Sequence, residues 1–249
     1  MAKGEGSWSY APLGRAVRVL RLHRSQKILR GLDTMGSHWL LGIAEVRGGE
    51  IQYITRAATE KVSRGRYVIW IPAWSIVHSG LSRLDQRMEC IVGTSQGFSA
   101  PDKAFIARIR KGSLPQGVDD VGKFVSRFGD RVEIEFNPFP SALSKRAKVK
   151  IDRYFKEGIT ISAIAEQLRT SATVLGRAFK QDFGITPVEY RNHLRVTHAS
   201  FALAQGKDVT RVASDMGFND LGRFNKNFKA VTRTQPRQFK AKKSKNAKL

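Results

Sequence analysis

The chain has 249 residues, with 44 Lys or Arg against 21 Asp or Glu, and a formal net charge of +23. A hydrophobic share of 41% excludes wholesale disorder and predicts one large or two ordinary domains, each with a buried core. The single cysteine, Cys90, excludes an intrachain disulfide scaffold and a thiolate-rich zinc site. The N-terminus lacks the apolar segment of a signal peptide, and the longest apolar stretch, from Tyr67 to Trp74, is broken by Pro72 and too short for a membrane span. We therefore expect a cytoplasmic protein.

The positive charge is concentrated in the C-terminal part of the chain. The net charge is +8 before Ser144 and +15 from Ser144 onward. Such a field attracts a polyanion, but charge alone does not choose among DNA, RNA and an anionic membrane. A soluble protein that merely has a high isoelectric point is the simplest alternative.

The N-terminal part has the pattern of a β domain. Short β-favouring runs alternate with glycine turns, which predicts an antiparallel sandwich or barrel. The runs are 39–46, 51–54, 67–71 and 88–92, with Gly48-Gly49 as one of the turns.

After Pro101 the apolar residues follow a helical period, which predicts two accessory helices near 103–111 and 119–128. The second has a one-sided apolar stripe, which predicts a self-association seam. The stripe consists of Val121, Phe124, Val125 and Phe128.

A proline-rich segment, 137–143, is the predicted linker, because each proline restricts its predecessor and lacks a backbone donor. From Ser144 onward the chain is predicted to form consecutive helices. Their predicted N-caps are Thr160, Ser171, Asp208 and Asp220. Gly184 is a left-handed stop, and a capping box from Thr186 to Glu189 opens a long helix that Gly206 closes.

The helical part contains an internal repeat. Ala165 aligns with Ala213, and the second copy is one residue longer in its turn. The aligned pairs include Ser171 with Asp220, Leu175 with Phe224, Phe179 with Phe228 and Pro187 with Pro236. The pattern of helix, tight turn and helix therefore occurs twice, as two helix-turn-helix units. The long helix between them could hold two recognition helices about one duplex turn, roughly 34 Å, apart.

Residues 160–240 resemble the DNA-binding domain of the AraC/XylS family of bacterial transcription regulators. The resemblance rests on the segment 213–229 and on the segment 179–187, which is followed by Tyr190-Arg191. The alanine, Gly-Phe, Phe-x-x-x-Phe-Lys and Gly-x-Thr-Pro elements all fall at the family's spacing. Three positions depart from the pattern: Arg169 and Arg233 stand where glycine is common, and Gln235 replaces a Thr or Ser cap.

The resemblance implies which residues meet DNA. The base-reading positions are Thr173, Gly176 and Arg177 in the first unit and Leu221, Gly222, Arg223, Asn225 and Lys226 in the second. Arg177 and Lys226 could bond guanine, and Asn225 could bond adenine. The phosphate-binding positions are Ser171, Lys180, Arg191 and Lys229. The alternative for the cations is an exposed, solvated role, whereas Phe218, Phe224 and Phe228 are expected in the core.

The N-terminal part is similar to the cupin-type sensor domains that precede this module, on the stretch 65–72 and a trailing His78. Such a barrel can hold one small ligand. The candidate wall residues are Trp39, Tyr53, Trp70, Trp74 and His78, with simple core filling as the alternative.

Metal-binding cupins use several histidines and a carboxylate, so His38, His78 and Glu45 are the candidate ligands for zinc or iron. The closely spaced His-x-His pair is missing, and no nucleophile motif is present. No metal, no cofactor and no enzymatic activity are therefore expected. The basic run Arg15, Arg18, Arg21 and Arg24 could contact an anionic effector or the partner domain, with a solvated face as the alternative.

These observations predict an α+β protein of two domains. Residues 1–136 form an antiparallel cupin-like barrel with two accessory helices, 144–241 an all-α seven-helix double helix-turn-helix domain, and 242–249 a basic disordered tail. The predicted function is sequence-specific transcription regulation, with the protein as an activator. The expected partners are double-stranded DNA, RNA polymerase, a small-molecule effector and a second copy bound through the N-terminal domain. A non-specific nucleic-acid-binding protein and a metal-dependent cupin enzyme remain as alternatives.

Overall fold

The computed structural model describes residues 7–13, 16–24, 29–34, 36–94, 99–137, 139–232 and 234–239. An antiparallel sheet occupies the N-terminal part, and helices occupy the C-terminal part. The strands are β1 (Ser7–Leu13), β2 (Ala16–Arg24), β3 (Leu29–Asp33), β4 (His38–Ile54), β5 (Thr59–Val62), β6 (Gly65–Ile71), β7 (Val77–Thr94), β8 (Phe105–Ile109) and β9 (Val132–Glu133). The strand order is β1-β2-β7-β4-β6-β8-β9, with β3 paired to β7 and β5 to β4.

The predicted runs 39–46 and 51–54 form one long strand, β4, so the prediction of a turn at Gly48-Gly49 was wrong. The register with β7 shifts on both sides of Gly48, and Gly49 has a left-handed φ of 76°. These irregularities are β-bulges, which bend a strand without ending it. Gly48 and Gly49 therefore allow β4 to bend, and they do not reverse the direction of the chain.

The predicted helix at 103–111 was also wrong, because this segment contains strand β8, which pairs with β6. Its apolar residues alternate between the two faces of the sheet: Phe105 and Ala107 lie in one core cluster and Ile106 in the other. A strand buried on both faces has a continuous apolar run, which a helical period can also match by chance over so short a segment.

Only the second accessory helix is present in the described residues, as α1 (Val121–Val125). Val121 and Val125 are fully buried, and Phe124 and Phe128 pack against the same core cluster as Trp70. The apolar stripe therefore covers one face of the sheet. It is core packing, and the self-association seam predicted there is not supported.

The sheet has an apolar cluster on each face. One contains Trp39, Trp70 and Phe105, and the other contains Tyr53, Val62 and Leu84. Among the described residues the pairing runs from β1 to β9 without joining these two ends, so the sheet is cupin-like in its curvature but not closed.

The C-terminal part has six α-helices and a final 3-10 helix among the described residues. They are α2 (Ala142–Tyr154), α3 (Ile161–Gln167), α4 (Ala172–Phe183), α5 (Pro187–Ala204), α6 (Val209–Asp215), α7 (Leu221–Thr232) and a 3-10 helix at Pro236–Phe239. The first helix begins slightly before the predicted boundary, with Ser141 as its N-cap. Tyr190 is fully buried at the centre, and its hydroxyl donates to Asp152 Oδ1 at 2.6 Å.

The two parts share their cores. Ile76 from the β domain lies in the core of the helices, and Phe201 of α5 packs against the core of the sheet. Within the described part of the chain, no helix is both long and apolar enough to cross a membrane.

Candidate nucleic-acid interface

The predicted helix ends are confirmed, and they build two helix-turn-helix units. Thr160 and Asp208 cap α3 and α6, the first helix of each unit. Ser171 accepts a hydrogen bond from Val174 N at 3.2 Å, and Asp220 accepts one from Arg223 N at 2.7 Å, at the start of α4 and α7. An N-cap satisfies backbone donors that the helix itself leaves unpaired. Both second helices therefore begin at defined points.

The small alanines lie where the repeat predicted them. Ala165 and Ala213 are almost fully buried between the paired helices. On the inward faces of α4 and α7, the pairs Leu175 and Phe179, and Phe224 and Phe228, are all fully buried. Each unit thus fixes its second helix through its apolar face and leaves the opposite face outward.

The outward faces carry the predicted base-reading residues. All of them are exposed except Gly176, which is half-buried: Thr173, Arg177, Leu221, Gly222, Arg223, Asn225 and Lys226. Leu221 and Asn225 also line a surface groove of about 320 Å³ that Asp208 and Arg237 border. The structure therefore brings the eight residues together as two sets, one on each unit.

The predicted phosphate-binding residues differ in their surroundings. Lys180 and Lys229 are exposed near the C-terminal ends of α4 and α7. Ser171 uses its hydroxyl as an N-cap. Arg191 is half-buried, donates to Ile159 O at 2.6 Å, and has its pKa lowered by burial and then by the charge of Arg223. Arg191 thus already has a partner within the protein.

Helix α5 joins the two units. Its capping box is complete, because Thr186 accepts from Glu189 N and the Glu189 carboxylate accepts from Thr186 N at 3.0 Å. The helix has 18 residues, so it is about 27 Å long at about 1.5 Å per residue. This length is comparable with the roughly 34 Å of one duplex turn.

The two units differ at the turn. Gly217 has a φ of 75°, and a Cβ there would collide with the Lys156 carbonyl oxygen. Arg169, at the equivalent position of the first unit, has a φ of 55°. The turn of the first unit therefore keeps its left-handed conformation with an arginine in place of glycine, and the Cβ of that arginine makes the conformation less favourable.

Two further positions depart from the family pattern. Arg233 lies outside the described residues, and Gln235 N donates to Gln238 Oε1 at the start of the 3-10 helix.

The β domain and the linker hold the C-terminal end of α4. Ser141 donates to the Asp182 carboxylate through its hydroxyl at 2.6 Å and its backbone N at 3.1 Å. Arg56 lies 3.7 Å from the same carboxylate. Burial opposes ionisation of Asp182, but hydrogen bonds from Ser141 and Ser144 and the charge of Arg56 lower its pKa below the usual value. Sequence reasoning missed Asp182.

A second contact lies along α5. Thr197 Oγ1 donates to Thr34 O at 3.0 Å, and Ser37 N donates to His198 Nε2 at 3.4 Å. The His198 ring lies 5.0 Å from that of His38. Burial, then the charges of His38 and Lys156, lower the pKa of His198 to about 3, so the ring is a neutral acceptor. Because His198 lies on α5, which joins both units, this hydrogen bond connects the β domain directly to that helix.

The five candidate ligand-pocket residues do not share one cavity. Trp39 and Trp70 stack at 5.9 Å in one core cluster, and Tyr53 lies in the other. Trp74 packs against the helical core, and His78 Nε2 lies 2.8 Å from Phe183 O. Core filling explains the first three, and contact between the domains explains Trp74 and His78.

The candidate metal ligands are also separated. Glu45 pairs with Arg47 at 3.1 Å, His38 packs on Phe201, and His78 contacts Phe183. In the described ranges, no three His, Cys, Asp or Glu side chains are grouped so as to hold a metal ion.

Of the basic run, Arg18 donates to Pro115 O at 3.2 Å and pairs with Glu89 at 3.4 Å. It therefore binds within its own domain. Arg15 lies outside the described residues, as do the side chains of Arg21 and Arg24.

Comparison with known proteins agrees with this geometry. A family model described as a helix-turn-helix domain matches residues 164–242, about a third of the chain. The transcriptional activator RhaS of Salmonella arizonae is 25% identical over 176 residues, which cover 67% of this chain and 56% of RhaS. The chain thus spans only about half the length of this curated relative.

Among solved structures, apo ToxT from Vibrio cholerae has a TM-score of 0.56 at 14% identity and covers 90% of this chain and 96% of its own. ToxT bound to (E)-4-(8-methylnaphthalen-1-yl)but-3-enoic acid has a TM-score of 0.52 at 11% identity and covers 86% and 97%. At these identities the likeness concerns the fold alone.

Fold and site together define a class: a double helix-turn-helix domain that follows an antiparallel β domain. The matched family model covers most of the helical part, and both the curated relative and the ToxT fold agree with it. The C-terminal domain is therefore similar to the DNA-binding domains of AraC/XylS-type regulators.

Proposed function

We propose that the protein is a sequence-specific transcription regulator that reads a bipartite DNA site with α4 and α7. The observation that carries this proposal is the pair of outward helix faces on two units joined by one continuous helix of about 27 Å. The exposed cations Arg177, Lys226, Lys180 and Lys229 supply base contacts and phosphate contacts on these faces. One copy of the chain would then enter two successive major grooves on one side of the duplex.

Only some of the proposed base-reading positions have a polar side chain. Gly176, Gly222 and Leu221 offer no polar side chain, whereas Arg177, Asn225 and Lys226 do. We therefore expect direct hydrogen-bond readout at few positions, with methyl contact and DNA shape accounting for the others.

Regulation is proposed to run through the β domain. Its contacts with Asp182, at the end of the first recognition helix, and with His198 on α5 give it a mechanical connection to both units. A small molecule that favours one arrangement of the two domains would change the affinity for DNA by its difference in affinity for the two arrangements. ToxT, which has a similar fold, has been crystallised with a small carboxylic acid. Three further parts belong to the proposal: transcriptional activation, which the name of RhaS states for that protein, contact with RNA polymerase, and homodimerisation through the N-terminal domain.

Selection of binding sites from random duplex DNA with the full chain tests the proposal. We expect two enriched sequence blocks whose centres are about 10 base pairs apart. Selected sequences without any common block would instead favour the non-specific nucleic-acid-binding protein, for which affinity depends on salt and not on sequence. Enrichment of a single block would contradict reading by both units.

A further inference from the structure

We infer that Arg195 is a positioning residue that sets the orientation of the two helix-turn-helix units relative to each other. Arg195 lies on α5, and its side chain contacts both the end of α2, which packs against the first unit, and the turn of the second unit. The inference rests on the proposed function, because it concerns how the two units share one DNA site.

The guanidinium of Arg195 donates to three backbone carbonyls. Nε donates to Phe155 O, Nη2 to Glu157 O at 3.0 Å, and Nη1 to Gly217 O at 2.8 Å. Phe155 and Glu157 lie at and just beyond the C-terminal end of α2, which packs against α3 and α4 of the first unit. The carbonyls at a helix C-terminus have no partner within the helix and carry partial negative charge, so a cation there is favourable.

The third acceptor belongs to the other unit. Gly217 forms the turn between α6 and α7, four residues before the second recognition helix begins at Leu221. The guanidinium also lies 5.5 Å from the ring centroid of Phe218, and Phe218 packs edge-to-face on Phe224 of α7 at 5.2 Å. A single side chain therefore ties the end of α2 to the turn that aims α7.

The close approach of the two units depends on the same place. A Cβ on Gly217 would collide with Lys156 O, so the turn of the second unit rests directly on the backbone that follows α2. Arg195 is only 8% exposed, so its hydrogen bonds to carbonyls replace those it would make with water. Its planar fork holds donors at fixed angles to one another, which a flexible lysine ammonium does not do.

The test compares Arg195→Gln and Arg195→Lys with the native chain and with Leu203→Ala. Leu203 is a fully buried residue of the same helix, so Leu203→Ala lowers stability without removing the link between units. Each protein is titrated with a selected two-block duplex, with duplexes carrying one block, and with duplexes whose spacer is one base pair longer or shorter.

We expect Arg195→Gln to bind the two-block duplex about tenfold more weakly while one-block binding stays within about twofold of native. We also expect the variant to discriminate less between spacer lengths, and Arg195→Lys to behave like Arg195→Gln. Leu203→Ala should keep the native spacer preference. Equal losses on one-block and two-block duplexes, or an unchanged spacer preference, would overturn the inference and leave the proposed function intact.

A measurement without DNA separates the inference from the proposed function. Spin labels at Gln181→Cys and Ala230→Cys, both exposed on the second helices of the units, report the distance between the units in a Cys90→Ser background. We expect Arg195→Gln to broaden this distance distribution, and Leu203→Ala to leave it as narrow as in the labelled parent. An equally narrow distribution in Arg195→Gln would overturn the inference, whatever site selection returns.

Discussion

The hydroxyl of Ser141 donates a 2.6 Å hydrogen bond to the carboxylate of Asp182, so the linker between the domains is fixed to the last turn of the first recognition helix. The same Ser141 side chain caps α2. One short contact therefore fixes the start of the helical domain and connects it with the element that is proposed to enter DNA.

Loss of the Asp182 carboxylate should release the linker. Asp182→Ala removes the acceptor for both Ser141 donors and the partner of Arg56, so we expect the free energy of unfolding to fall by about 2 kcal/mol. Limited proteolysis should cut between 137 and 141 faster than in the native chain. The neighbouring exposed variant Gln181→Ala is the control, and equal cleavage rates in the two variants would contradict the prediction.

The base-reading assignment can be separated from general attraction to phosphate. Arg177→Ala or Lys226→Ala should cost about 1 to 3 kcal/mol at the selected site and relax the choice at one base position. Lys180→Ala or Lys229→Ala should weaken binding evenly on all sequences and reduce the salt slope by about 1. Titrations of selected and random duplexes at several salt concentrations measure both effects. An equal loss on random DNA would falsify the role of Arg177 or Lys226.

Replacement of two glycines by alanine should change the stability of the protein in opposite directions. Gly217→Ala forces a Cβ against Lys156 O at a φ of 75°, so it should lower the free energy of unfolding by about 2 to 3 kcal/mol. Gly176→Ala meets no atom within 4 Å inside α4, so it should raise stability by about 0.5 to 1 kcal/mol. Urea unfolding of both variants measures the two changes. A similar effect at both positions would show that the collision at Gly217 is relieved by movement of the backbone.

Arg169→Gly should stabilise the first unit. Arg169 has a φ of 55°, which costs a residue with a side chain about 1 to 2 kcal/mol, and part of that gain is offset by the greater freedom of glycine in the unfolded chain. We expect a net gain of about 0.5 kcal/mol in urea unfolding. An exposed glycine substitution within a helix, Ala172→Gly, should instead destabilise the same unit.

Stability should fall in mild acid through His198. Its pKa is about 3 in the folded protein against an ordinary value of 6.5, so between these values the unfolded chain binds more protons. The contribution of neutral His198 is therefore complete above about pH 6.5 and is lost progressively as the pH falls towards 3. Half-buried His193, whose pKa desolvation lowers to about 4, acts in the same direction.

His198→Asn should flatten this dependence. Urea unfolding at pH 7 and pH 5 should show a smaller loss of stability for His198→Asn than for the native chain, because one titrating group is gone. Asp215→Asn, at an exposed site, controls for a general change of charge. An identical loss in the native chain and in His198→Asn would contradict the assignment of a depressed pKa to His198.

Much of the helical domain could be predicted from its sequence. The caps at Thr160, Ser171, Asp208 and Thr186 depend on hydrogen bonds to backbone groups two or three residues away, so local patterns contain the information. The internal repeat predicted the same helix-turn-helix fold a second time, from a different segment of the sequence. The buried face of α5 also contained a signal that was missed, since Arg195 is a charged residue among apolar ones.

The β domain was predicted less well, because short apolar runs do not define their own partners. Phe105 and Ile106 fit a helical period, yet they lie on opposite faces of a strand once β6 pairs with β8. The sequence predicts one pocket for the aromatic residues Trp39, Tyr53 and Trp74, but the folded protein places them against three different cores.

The sequence alone predicted the two helix-turn-helix units and determined the excess of positive charge, since both depend on residue type and short spacing, whereas the residues proposed to contact DNA were implied by the family resemblance. Only the tertiary structure decided how the units and the β domain are joined. The contacts of Asp182 with Ser141, of His198 with Ser37 and of Arg195 with Gly217 link residues far apart in the chain. Side chains and carbonyls that meet in this way leave no periodic pattern, so folding alone brings them together.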